Sequence, residues 1–204
     1  MIVYIIIIFT SLFSFLALQD RNLMNRFIMY PHAVKHNKEW WRFISSGFLH
    51  ADYMHLFFNM FVLYSFGLVL IQYFEYLFEG LAIYYFLVLY IGAIIVSDLS
   101  SYIKYHESPS YRSLGASGAV SAVLFAFILI NPMSQVLVFF IPMPGVLMGV
   151  IYLGYSWYMA KQGGDRINHD AHFYGALFGF LFPVLLKPEL FLDFIDKVKF
   201  SLSI

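Results

Sequence analysis

"LGASGAVSAVLFAFILI", residues 114–130, sets a serine between Gly115 and Gly118 and runs on to Ile130 with Ser121 as its only other polar side chain. A helix that is apolar on every side lies in a large core or spans a membrane. Composition decides between the two. Of 204 residues, 61% are hydrophobic and 12% charged, and mean hydropathy is +0.75. A soluble domain averages about half apolar and about a quarter charged. The excess is too large for one core and is spread along the chain, which predicts an all-α polytopic membrane protein.

Six segments approach the ~20 apolar residues a spanning helix needs: 1–19, 53–73, 80–103, 114–131, 134–159 and 168–187. The first reads as an uncleaved span rather than a signal peptide, because no Lys or Arg precedes it and no small-residue cleavage site follows. Residues 1–187 are thus expected to form one six-helix unit, with no soluble domain at either end. The tail, 188–204, mixes Leu190, Phe191, Phe194, Ile195 and Val198 with Lys197 and Lys199, which predicts a short amphipathic helix on the membrane surface. The long loop at 20–49 carries Trp40 and Trp41, side chains that favour the membrane–water interface. "IPMPG" at 141–145 is expected to kink the fifth span and loosen it, since proline removes backbone donors.

The chain has no cysteine, which excludes disulfides, thiolate nucleophiles and cysteine-based zinc sites. Net charge is zero and no basic run is present, so nucleic acid is not an expected partner.

Polar side chains are costly in lipid and mark function. Three clusters stand out: His50, His55 and Asn59 entering the second span, "GASG" around Ser117 entering the fourth, and His169, Asp170 and His172 entering the sixth. Each crossing reverses direction, so spans two, four and six start on one side and the clusters share similar depth. Gly118, Ala122 and Ala126 make a small-residue stripe on span four, and Ala171, Gly175 and Gly179 make another on span six. Such stripes let membrane helices approach until their backbones nearly touch. If they face each other, Ser117 and His172 come together as a nucleophile beside its general base. Acyl chemistry also needs donors for an oxyanion. His55 and Asn59 lie four residues apart on one helical face, and with the Ser117 amide they can converge on one oxygen. Gly115 and Gly118 leave room for a substrate backbone to approach Ser117.

With these residues in view, the chain resembles a rhomboid intramembrane serine protease of the compact six-span bacterial kind. The resemblance rests on Trp41–Arg42, "HADYMHLFFN" at 50–59, "GASG" at 115–118 and "AHFYGALFG" at 171–179, in the family's order and on its helices. It implies Ser117 as nucleophile, His172 as general base and later acid, and an oxyanion hole of His55, Asn59 and the Ser117 amide. It implies a structural role for His50, close-packing roles for Gly175 and Gly179, and a first loop with Trp41 and Arg42 partly in the membrane interface. Substrates would be single-pass membrane proteins cut in or near their membrane segment, with the fifth span as lateral gate. No metal and no cofactor is implied. The active site would face the non-cytoplasmic side of a bacterial inner membrane, with both termini inside.

Mechanistically this is a dyad. Asp170 lies two residues before His172, so the two point to different faces, and His169 is expected to line a water-accessible mouth. Two features depart from the family. Where family members often carry a tyrosine four residues after the nucleophile, packed on the catalytic histidine, this chain has Ser121. That predicts slower turnover or a shifted pH profile, with Ser121→Tyr raising activity. The presumed outer loops hold Arg21, Arg26, Lys35, Lys38, Arg42, Lys104, Arg112, Lys161 and Arg166, against Lys187, Lys197 and Lys199 inside. Positive-inside counting therefore predicts the reverse orientation.

Other readings make different demands. A catalytically inactive rhomboid-like protein that binds membrane clients would not need Ser117 and His172. A metal-dependent hydrolase would use His50, His55, His169 and His172, but no HExxH is present. A transporter would want a broken helix at mid-membrane, for which Pro142 and Pro144 are the candidates.

Overall fold

A computed structural model describes residues 1–138, 140–165 and 167–203; Arg166, one of the loop cations counted above, lies outside the described residues with Phe139 and Ile204. Ten α-helices follow in order: α1 Ile2–Gln19, α2 Arg21–Phe27, α3 Pro31–Asn37, α4 Arg42–Ser45, α5 Tyr53–Phe78, α6 Ala82–Tyr105, α7 Ser117–Ile130, α8 Gly145–Gln162, α9 His169–Leu186 and α10 Glu189–Leu202. A 3-10 turn at Ser46–Phe48 precedes α5, and a two-stranded hairpin, β1 Gln135–Val138 and β2 Ile141–Pro144, precedes α8.

The apolar run that starts at Ser117 is the central helix, α7. Every residue from Gly118 to Ile130 is buried, enclosed by α5, α6, α8 and α9. The outer helices turn the opposite kind of face outward. On α1, Ile5, Ile8, Leu12 and Leu16 are exposed, and on α5 so are Phe57, Phe58 and Phe61. An apolar belt of this size on a folded bundle is a surface for lipid.

Among the described residues three helices, α1, α5 and α6, are long and apolar enough to cross a membrane, and the pair α9–α10, bent by 115°, makes up to four if read as one span. The chain is therefore a mainly helical polytopic membrane protein. The expected fifth span is shorter than the sequence suggested. Residues 135–138 and 141–144 form the hairpin, in antiparallel register from Gln135 opposite Pro144 to Val138 opposite Ile141, and the helix begins only at Gly145. Pro142 and Pro144 thus lie in a strand and at a helix start, where no helical hydrogen bond is lost, and they do not kink α8.

The tail is helical as α10. Its Leu190 is buried, Phe194 meets Phe180 edge to face at 5.2 Å, and Lys197 Nζ donates to the Ile130 carbonyl, 2.9 Å away, at the end of α7.

The loop between α1 and α5 is folded rather than open. Arg42, 6% exposed, donates through Nη1 to the carbonyls of Asn25 (2.9 Å) and Ile28 (2.6 Å) and pairs with Glu39. Burial pulls the Glu39 carboxyl up, but hydrogen bonds from Arg42 and Asn37 outweigh it and hold it below the usual range. Trp41 beside it is half exposed. Met29 and Ser113 exchange backbone hydrogen bonds of 3.0 and 3.1 Å, tying this loop to the segment that leads into α7.

Candidate active site

The two small-residue stripes face each other. A Cβ added at Gly175 would overlap the carbonyl group and Cα of Gly118, and one at Gly179 would overlap Ala122 in the same way. Contacts that advance by four residues on both helices mean that α7 and α9 run side by side in the same direction. Ser117, next to Gly118, and His172, one turn before Gly175, therefore sit at one level at the helix starts. A Cβ at Gly118 would also lie 3.2 Å from the Ala171 carbonyl oxygen, which already accepts a 3.1 Å hydrogen bond from Ser97 Oγ of α6.

The third helix start joins them through Gly115. This residue has φ +128°, a region that favours glycine, and its backbone N–H donates to the Ser46 carbonyl at 3.1 Å. A Cβ there would stand 2.9 Å from His55 Cε1, 3.2 Å from His55 Nε2 and 3.6 Å from Ser117 Oγ. His55 Nδ1 accepts from the Ala51 N–H at 3.4 Å, so the neutral ring carries its proton on Nε2, the nitrogen that faces Gly115. Asn59, buried, gives one N–H to the His55 carbonyl at 2.9 Å and keeps a second donor on the same amide. As the first residue of α7, Ser117 has a backbone N–H with no partner within the helix. Among the described residues Ser117 Oγ makes no hydrogen bond, to His172 or to any other group.

His50 lies fully buried in the loop before α5, its Nδ1 2.9 Å from Ser14 Oγ of α1 and its ring edge to face with His55 at 4.9 Å. Burial first, then the neighbouring His55, push its pKa down to about 3, against a smaller opposing pull from Asp52. Asp170 points away from His172 and pairs with Lys104 at 2.7 Å.

His169 departs from expectation. It is 4% exposed, with Nε2 3.0 Å from Asp165 Oδ2, so it is packed beside His172 and does not line an open mouth. The hydrogen bond from His169 holds the Asp165 carboxyl below its usual range, with a further one from the Ile167 N–H. The four histidines of the metal reading do not form a ligand set; among the described residues no group of three or more His, Asp or Glu is arranged to hold a metal ion.

Three polar residues here escaped the sequence reading. Asp98, buried in α6, accepts from Ser46 Oγ at 2.5 Å and so braces the turn that receives the Gly115 N–H. An ionisable residue inside an apolar span is itself a signal, and Asp98 carried it. Asn168 caps α9 through Ala171 N–H (3.1 Å) and donates to Ser101 Oγ (2.8 Å). Tyr152, from α8, places its ring 6.3 Å from that of His172. Nothing in its local sequence distinguishes it from the other tyrosines.

A serine and two histidines gathered, half-buried, at the starts of three packed helices mark out a polar centre in a helical membrane protein. The sequence model described as "Rhomboid domain" matches residues 37–189, and the chain belongs to the rhomboid family. It is similar to "RHOMBOID-like protein 12, mitochondrial" of Arabidopsis thaliana, with 31% identity over 65% of this chain and 42% of that one. It is similar to "Putative rhomboid protease YdcA" of Bacillus subtilis, with 30% identity over 73% and 68%. The human "Presenilin-associated rhomboid-like protein, mitochondrial" matches at 31% over 66% and 35%. The chain thus spans well under half the length of the mitochondrial relatives.

Proposed function

We propose that this chain is an intramembrane serine endopeptidase that cleaves single-pass membrane proteins in or near their transmembrane segments. The observation that carries the reading is the meeting of Ser117, His55 and the α9 start around Gly115 and Gly118. Ser117 Oγ attacks the carbonyl carbon while His172 takes its proton. The oxyanion is held by His55 Nε2–H, Asn59 Nδ2–H and the Ser117 N–H, donors fixed before the charge develops. The C–N bond then breaks as the imidazolium returns the proton to the leaving amine. Water, activated by His172, releases the acyl group from Ser117. Neither a metal nor a cofactor takes part.

The length of α7 sets the depth of this chemistry. Its 14 residues rise about 21 Å, against a hydrocarbon core of about 30 Å. Ser117 at its start therefore sits below the membrane surface, where water reaches it from one side. The proposal takes α1, α5, α6, α7, α8 and α9 as six spans, with α10 as a surface segment after residue 187. It places the site on the non-cytoplasmic face of a bacterial inner membrane.

Labelling of the purified protein with a fluorophosphonate probe tests the reading. Wild type should label at Ser117 and cleave a model transmembrane substrate, and Ser117→Ala and His172→Ala should do neither. A folded wild type that neither labels nor cleaves would overturn it in favour of an inactive, client-binding relative.

A further inference from the structure

Ser121 lies one helical turn after Ser117 and is 4% exposed, so its hydroxyl needs a partner inside the bundle. That partner is the Tyr152 hydroxyl, 2.5 Å away on α8. The phenol ring is then fixed at both ends, by its backbone on α8 and by Ser121 on α7. Phe125, one turn beyond Ser121, packs against it at 5.5 Å. The ring so held lies 6.3 Å from the His172 imidazole and within 25° of parallel to it. On another side of the imidazole, His169 meets it edge-on at 6.0 Å and 79°, itself held by Asp165.

We propose that Tyr152 is the positioning residue for His172, an aromatic wall supplied by α8 and locked by Ser121. The inference rests on the protease reading for its kinetic consequence, not for its geometry. A small residue at 121 is what this arrangement requires, because a larger one would occupy the space of the phenol; Ser121→Tyr alone is therefore expected to lower activity, not to raise it as the sequence suggested. Imidazole orientation matters in proportion to how tightly proton transfer depends on it, and small misplacements of a catalytic group carry large rate losses.

The test compares Tyr152→Leu, Tyr152→Phe, Ser121→Ala and the Tyr152→Phe/Ser121→Ala pair for labelling rate, kcat, KM and thermal midpoint. The other titratable groups facing His172, namely His55, His169 and Asp165, are left in place. Tyr152→Leu, which also leaves the Ser121 hydroxyl unpartnered and so lowers the midpoint, should lose on the order of tenfold in labelling rate and kcat at unchanged KM when assayed well below that midpoint. Tyr152→Phe and Ser121→Ala should each lose about fivefold, the worth of one hydrogen bond, and the pair no more than either alone. Ser121→Tyr with Tyr152→Ser should recover what Ser121→Tyr alone loses. Wild-type rates in Tyr152→Leu, or additive losses in the pair, would overturn the proposal, as would a loss that only follows a lowered midpoint. The ring resonances of His172 give an answer independent of activity. They should shift in Tyr152→Leu, and by less in Tyr152→Phe, even if wild type neither labels nor cleaves, and an unmoved resonance in Tyr152→Leu would overturn the contact itself.

Discussion

Gly175 rests its Cα against the carbonyl of Gly118, so that the backbones of α9 and α7 touch where the candidate catalytic side chains begin. No side chain fits between them. Gly175→Ala and Gly179→Ala should each destabilise the protein by about 1–3 kcal/mol, and valine at either site by more. Gly154, in the middle of α8, meets nothing within 4 Å of an added Cβ. Gly154→Ala should therefore stabilise by up to about 1 kcal/mol through helix propensity alone. Thermal unfolding in detergent reads all three, and a tolerant Gly175 would contradict the backbone contact.

His55 and Asn59 should act on the transition state rather than on binding. Removing one oxyanion donor costs on the order of 10²–10³ in kcat. His55→Ala and Asn59→Ala should each show a loss of that order in kcat and kcat/KM together, with KM little changed. Steady-state cleavage of a model transmembrane substrate measures it. A change confined to KM would assign these residues to substrate binding instead.

Arg42 holds the first loop. Without its guanidinium, Glu39 loses its cation, and the carbonyls of Asn25 and Ile28 lose a donor. Arg42→Met should cost about 1–3 kcal/mol, because the Asn25 and Ile28 carbonyls lose their donor while Glu39, only partly buried, can turn to water. Arg42→Lys should not rescue it, because a single ammonium cannot reproduce the fork of donors. Added soluble protease should nick the 20–49 loop in both variants faster than in wild type.

His50 gives stability a pH dependence of known sign. The folded chain keeps it neutral down to about 3, while an unfolded chain protonates it near 6.5. Between those values the unfolded state binds a proton that the folded state refuses, so stability falls as pH drops through that window. Above about pH 7 the group contributes no slope. Melting curves of wild type and His50→Gln should diverge in slope across pH 6.5 to 4, with the variant flatter. Parallel curves would mean that His50 is charged in the fold.

The membrane class is legible in the amino-acid sequence, because hydrophobicity so far above that of a soluble domain leaves no other solvent for these helices. So is which helices meet, because small residues four apart leave one face on which backbones can touch. That put Gly118 opposite Gly175, and Ser117 level with His172. The structure alone decided what surrounds them. An apolar run such as 135–144 satisfies a helical and an extended pattern equally, and pairing between its two halves made it a hairpin. His169 became buried because Asp165 reaches back to it across the turn into α9. Tyr152 came to His172 because α8 packs where Ser121 leaves a hydroxyl to be bonded. Pairings of this kind join residues tens of positions apart, and no local periodicity encodes them; they exist only once the helices have packed.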